Sequence, residues 1–130
     1  MPRDLVPVVQ WRWTPVVAYM AFIFALSSVA TFPAVPGGSD KPLHALLYAG
    51  LSVLLIRALA GGFHRIVRPA MVLVTVVIAA AYGVSDEFHQ SFVSSRHPDA
   101  MDVIADTIGA ALAAGALFAW SRFTRRAEKP

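Results

Sequence analysis

Cysteine is absent from this chain, which excludes disulfides and every thiol-based chemistry. Charge is scarce as well: Asp, Glu, Lys and Arg make up 15% of the residues, against about 25% in an ordinary soluble domain. Internal repeats and low-complexity tracts are also missing. What fills the 130 residues is apolar, 57% hydrophobic with a mean hydropathy of +0.60. That balance excludes an ordinary water-soluble domain and places the chain in the membrane class. The length suits a single domain, residues 1–130. A net charge of +3 would raise nucleic acid as a partner in a soluble protein. Here the basic residues fall where a bilayer requires them, and the expected partner is the lipid bilayer, with no nucleic acid.

A helix that crosses a hydrocarbon core of about 30 Å needs roughly 20 mostly apolar residues. Four segments qualify, at about 14–30, 42–59, 69–86 and 102–120. Pro15 and Pro69 suit first helical turns, where the missing N–H costs nothing. The joints FPAVPGGSD, GGFHR and the polar stretch from 86 to 102 read as loops from their Pro, Gly and charge. Nine of the 11 Lys and Arg residues gather on one side of this arrangement: Arg3 and Arg12, then Arg57, Arg65 and Arg68, then Arg122, Arg125, Arg126 and Lys129. Only Lys41 and Arg96 fall on the other. The positive-inside rule therefore predicts an all-α bundle of four transmembrane helices with both termini cytoplasmic and the 31–41 and 86–102 loops outside. Trp11, Trp13 and Trp120 stand where interface anchors belong. The small residues SSVA before Thr31 also resemble a signal cleavage site. The uncharged run is long for a signal sequence and two prolines follow it, which favours a retained helix.

The acids run the other way. Six of eight, Asp40, Asp86, Glu87, Asp99, Asp102 and Asp106, collect on the predicted outer side, together with His44, His89 and His97. At 1.5 Å per residue, the 16 residues from Asp106 to Arg122 span about 24 Å, which puts Asp106 inside the hydrocarbon region. Ionisable groups at that depth face the bundle interior and pair with one another. Their spacing agrees. Asp40, His44 and Tyr48 form one stripe, Tyr82, Asp86 and His89 or Gln90 a second, and Asp99, Asp102 and Asp106 a third. Three facing stripes would make a pocket open to the outside. Gly50, Gly109 and Gly115 would let the helices approach closely.

Several chemistries fit these residues. His44, Asp86, His89 and Asp102 or Asp106 could ligate a divalent metal such as Zn, Mn or Mg, although no HExxH-type signature is present. Asp86 and His89 could form an oriented acid–base pair, and Asp102 and Asp106 could share a proton, so these four are the catalytic candidates. Lys41 and Arg96 could hold a phosphate or carboxylate, with His44, Tyr48, Glu87 and Gln90 completing a substrate site. Ser85, Ser91, Ser94 and Ser95 lie near His89, but without a nucleophile elbow they do not make a serine hydrolase. Against these stands a non-catalytic scaffold or lipid- or partner-binding protein, whose polar cluster only ties loops to the bundle. A channel or transporter is disfavoured because four short helices offer no second half.

The pieces SDKPLHALLY and YGVSDEFHQSFVSSRHPDAMDVIADTIGA resemble the VanZ-like family of small bacterial membrane proteins. The matching residues are Asp40-Lys41, His44 and Tyr48; Asp86-Glu87, His89-Gln90 and Phe92; then Arg96, Asp102 and the ADTIGA run with Gly109. Many family members carry Asn at the place of Asp106 and Gly near the SSR turn. The resemblance implies a multi-pass protein of the bacterial cytoplasmic membrane, acting in the cell envelope. The founding member is associated with resistance to the glycopeptide teicoplanin. A lipid-linked envelope precursor or a glycopeptide is then the expected ligand of the outer cluster.

Overall fold

The computed structural model describes residues 5–29 and 40–127. Every regular element among them is a helix: α1, Leu5–Ser27; α2, Lys41–Ala60; α3, Pro69–Gln90; and α4, Ala100–Ala127. The all-α expectation holds. By length and composition α2, α3 and residues 100–125 of α4 can each cross a membrane. Most of the expected joint between 31 and 40, and the end of the SSVA motif, lie outside the described residues.

Consecutive helices are antiparallel, so the C-terminal ends of α1 and α3 share one end of the bundle with the N-terminal ends of α2 and α4. The most extensive seam joins α2 to α4, with α3 against α4 next. Between apolar helices in lipid there is no hydrophobic drive to associate, so close approach and interhelical hydrogen bonds carry the packing. Gly109 supplies the close approach. A β-carbon there would fall inside the backbone of Ala45, within bonding range of its carbonyl. Beside this seam the Ser52 hydroxyl donates to the Ala110 carbonyl oxygen at 2.8 Å. Gly50 similarly admits the Tyr19 ring of α1. Gly115, expected to serve the same purpose, has open space where its β-carbon would stand.

Tyr48, Leu51 and Leu55 of α2 form the centre of the core with Val16 and Ile23 of α1, Ala79 of α3 and Ala110 of α4. Leu46, Leu73, Val77, Ile108 and Leu112 point outward and are exposed. A helix that is apolar on all sides is at home against acyl chains.

Helix boundaries differ from expectation in three places. α1 begins at Leu5, not near 14, and Pro15 lies inside it. Pro7 takes the first-turn position instead, where no N–H is needed. An interior proline is tolerable because neighbouring helices can re-satisfy the freed carbonyl. α3 runs four residues past Asp86 to Gln90, so Glu87, His89 and Gln90 are helical, not loop. α4 reaches Ala127, beyond the expected 120, carrying the basic tail on a helix. α2 ends at Gly61, whose φ of 83° only glycine adopts readily and whose N–H meets the Arg57 carbonyl.

Candidate functional site

The polar cluster is assembled at the bundle end where α2 and α4 begin and α3 stops. Its first node is Lys41, the first residue of α2. The ammonium donates to Asp99 at 2.6 Å and to Asp102, and lies 3.7 Å from Asp40. Asp99 caps α4: its Oδ1 accepts the Met101 N–H at 2.8 Å and its carbonyl accepts the Asp102 N–H, as an N-cap aspartate does. The Lys41 ammonium, and after it the Met101 N–H, hold the Asp99 carboxyl below the usual aspartate range. Asp102, buried in the first turn of α4, adds its charge at the positive end of the helix dipole.

The second node is His44, one turn into α2 and buried. Its Nδ1 is 3.0 Å from Asp106 Oδ1. Its Nε2 faces Asp102 Oδ2 at 3.6 Å and Asp40 Oδ2 at 3.8 Å. Asp102 and Asp106 therefore do not share a proton directly, since the imidazole stands between them and each has its own partner. If Nδ1 donates to Asp106, a neutral ring aims the Nε2 lone pair at two carboxylates. That geometry calls for a second proton or a cation.

The third node is the end of α3. Asp86 accepts the Ser27 hydroxyl of α1 at 2.7 Å and the Gln90 amide at 3.4 Å. His89 stacks on Phe24 with ring centroids 4.1 Å apart, and its Nε2 is 2.9 Å from the Ser28 hydroxyl. The expected Asp86–His89 pair is thus not formed, because Asp86 meets Ser27, the last residue of α1, and His89 meets Ser28 just beyond it. Glu87 Oε2 accepts the Asp99 N–H at 2.7 Å, fastening the 91–99 loop. Gln90 Oε1 accepts from the Arg96 guanidinium at 3.2 and 2.8 Å. Both cations expected to hold an anion are therefore engaged within the protein, Lys41 by carboxylates and Arg96 by an amide. His97 is exposed.

Not every acceptor is used. Asp86 Oδ1, Glu87 Oε1, Asp106 Oδ2 and the Tyr48 hydroxyl are buried without a hydrogen-bond partner. A β-carbon on Gly83 would stand 2.9 Å from Asp106 Oδ2 and 3.6 Å from the Tyr48 ring, so this carboxylate and phenol share the space beside α3. Tyr82, expected in the same stripe, turns away and donates to the Met20 carbonyl at 2.6 Å.

The expected metal set of His44, Asp86, His89 and Asp102 or Asp106 does not come together whole: His44 and Asp102 meet, without Asp86 or His89. Among the described residues, the group whose ligand atoms all lie within 4.8 Å of one another is Asp40, His44 and Asp102. Those two carboxylates also hold the Lys41 ammonium. A divalent ion would have to sit beside that charge, so the set fits a metal poorly while Lys41 is protonated.

Ser27 and Ser28 were not identified from the sequence. Their signal was available: they are the two hydroxyl residues closing the first apolar run, at the end of the bundle where every other helix places polar groups.

The described residues form helices alone, three of them long and apolar enough to cross a membrane, with a partly buried Lys–His–carboxylate network at one end of the bundle, which is the make-up of a membrane protein. The VanZ/LLP1 family model matches residues 14–121, most of the chain, and the protein belongs to that family. No curated protein and no solved structure matches it.

Proposed function

We propose that this VanZ-like protein spans the bacterial cytoplasmic membrane four times, α1 included. Both termini lie in the cytoplasm, and the polar cluster at the outer surface binds the headgroup of a lipid-linked envelope precursor or a glycopeptide. The observation that carries the binding reading is the surplus of acceptors. Six carboxylates meet two cations that are already engaged, and three buried carboxylate oxygens stand without a donor beside the orphaned Tyr48 hydroxyl. Buried polar groups without partners are costly, and a ligand rich in N–H and O–H donors would relieve that cost. A bare anion would not, since Lys41 and Arg96 would have to abandon their present partners. The candidates for ligand contact are Tyr48, Asp86, Glu87 and Asp106. Lys41, His44, Gln90 and Arg96 would hold them in place.

One observation favours the scaffold reading. The network ties all four helix ends together, through Ser27–Asp86, Lys41–Asp102, His44–Asp106 and Glu87–Asp99, as a purely structural clasp would.

Tyr48→Phe separates the two. Its hydroxyl has no partner, so a clasp should not notice the loss. Teicoplanin susceptibility would be measured in a sensitive Gram-positive host carrying empty vector, wild type, Tyr48→Phe or Asp86→Asn, with membrane levels matched. Raised tolerance with wild type that disappears with Tyr48→Phe supports a ligand at the cluster. Equal tolerance with both supports the clasp. No tolerance with wild type removes the glycopeptide link. Because the chain lacks cysteine, topology is testable directly. Ser94→Cys should react with an impermeant maleimide in intact cells, and Ala127→Cys only after lysis.

A further inference from the structure

We infer that the opposite end of the bundle, where α2 and α4 finish, carries a binding site for a phosphate-bearing anion. A cleft of about 440 Å³ opens there between the α2–α3 connection and the last turns of α4, and a second of about 390 Å³ adjoins it. Arg65 and Arg125 line both, and Arg68 lines the second. The arginines come from two separate elements and converge on one concavity. Among the described residues no carboxylate lies within 4.0 Å of any of the three. Sidedness in a bilayer asks only for positive charge at this end. It does not ask for guanidinium groups that face a shared hollow and meet no carboxylate among the described residues.

A second observation points the same way. Arg57, in the last turn of α2, lies over the ring of Phe63, a wall of the first cleft, at 5.7 Å. Its Nη1 is buried without an acceptor. A buried guanidinium N–H normally finds a partner, and an anion entering beside Phe63 would supply one. Guanidinium forks match phosphate oxygens two at a time. The exposed Trp120 ring on the α4 wall supplies the amphipathic edge that headgroup-level sites use. The ligand is therefore a phosphate monoester or diester, belonging either to an anionic lipid or to a soluble anion.

The full chain in neutral detergent would be titrated with phosphatidic acid, with inorganic phosphate and with phosphatidylcholine, following the melting temperature. Phosphatidic acid, inorganic phosphate or both should raise it, and which one does so identifies the source. Arg65→Gln/Arg125→Gln should weaken that binding about tenfold or more, as loss of charge-assisted hydrogen bonds does. Arg122→Gln removes as much charge from the same end as either single variant, but that side chain lies over Phe118 outside both clefts, and it should leave binding within about twofold, a screened-charge effect. If the double variant does not fold, each single variant should still lose several-fold. Three results overturn the inference: no shift with either phosphate probe, an equal shift with phosphatidylcholine, or an equal loss in Arg122→Gln. None of these bears on the acidic end, so the headgroup reading above stands or falls separately.

Discussion

The Asp86 carboxylate near the end of α3 accepts a hydrogen bond of 2.7 Å from the hydroxyl of Ser27, the last residue of α1. It is the shortest link between α1 and the charged cluster, and it joins two buried side chains. Ser27→Ala would leave Asp86 Oδ2 with only the long 3.4 Å contact to Gln90. A buried acceptor stripped of its donor costs about 1–3 kcal/mol. The melting temperature in detergent should fall accordingly. Ser28→Ala, whose hydroxyl is exposed, should change the stability by less than about 0.5 kcal/mol.

Lys41 neutralises a buried carboxylate. Lys41→Met should destabilise by about 2 kcal/mol, below the roughly 3–5 of a fully buried pair because the Lys41 side chain is 34% exposed. Adding Asp102→Asn to Lys41→Met should recover much of the loss. Additive effects in that double-mutant cycle would mean the two residues are not coupled.

The depressed Asp99 carboxyl sets a pH dependence. Its folded pKa lies below the unfolded value of 3.8, so its stabilising contribution is complete above that value and disappears as pH falls through the folded one. Unfolding followed from pH 6 to pH 2 should show a steeper acid limb in wild type than in Asp99→Asn. Identical limbs would show that the Lys41–Asp99 bond does not hold in solution.

Two glycines on one helix should respond with opposite signs. Gly109→Ala drives a methyl into the Ala45 backbone, an overpacking that costs about 1–3 kcal/mol or more. Gly115→Ala meets nothing within 4 Å and gains up to about 1 kcal/mol of helix propensity. Thermal unfolding of the two variants side by side decides it.

Much of this bundle is legible from residue spacing alone, because hydropathy and proline and glycine punctuation are local signals. Pro69 and Gly61 mark the ends of α3 and α2 within a residue or two. The stripe Asp40, His44, Tyr48 comes straight from the helical repeat, and both later members are buried. What spacing cannot convey is which neighbour a side chain chooses. Asp86 and His89 share a helix, so they read as partners. Their helical offset instead lets each reach the C-terminal end of α1, where Ser27 meets Asp86 and the following Ser28 meets His89. Lys41 and Arg96 read equally well as anion holders or as counter-charges, and spacing does not single out Asp99 and Asp102, 58 and 61 residues from Lys41, or the Gln90 amide, six from Arg96. Pro15 marks a helix start by local rules, yet α1 continues through it to Leu5, because neighbouring helices can re-satisfy the carbonyl that an interior proline frees.

The bare contact of Gly109 on Ala45 reaches beyond packing. Gly109 lies just under one turn from Asp106, and Ala45 is the neighbour of His44. A missing side chain in the greasy seam thus acts as a spacer gauge for the charged machinery above it. The 3.0 Å separation of His44 and Asp106 is set by how tightly two backbones nest, so bulk added at the seam would detune the cluster without touching any of its polar atoms.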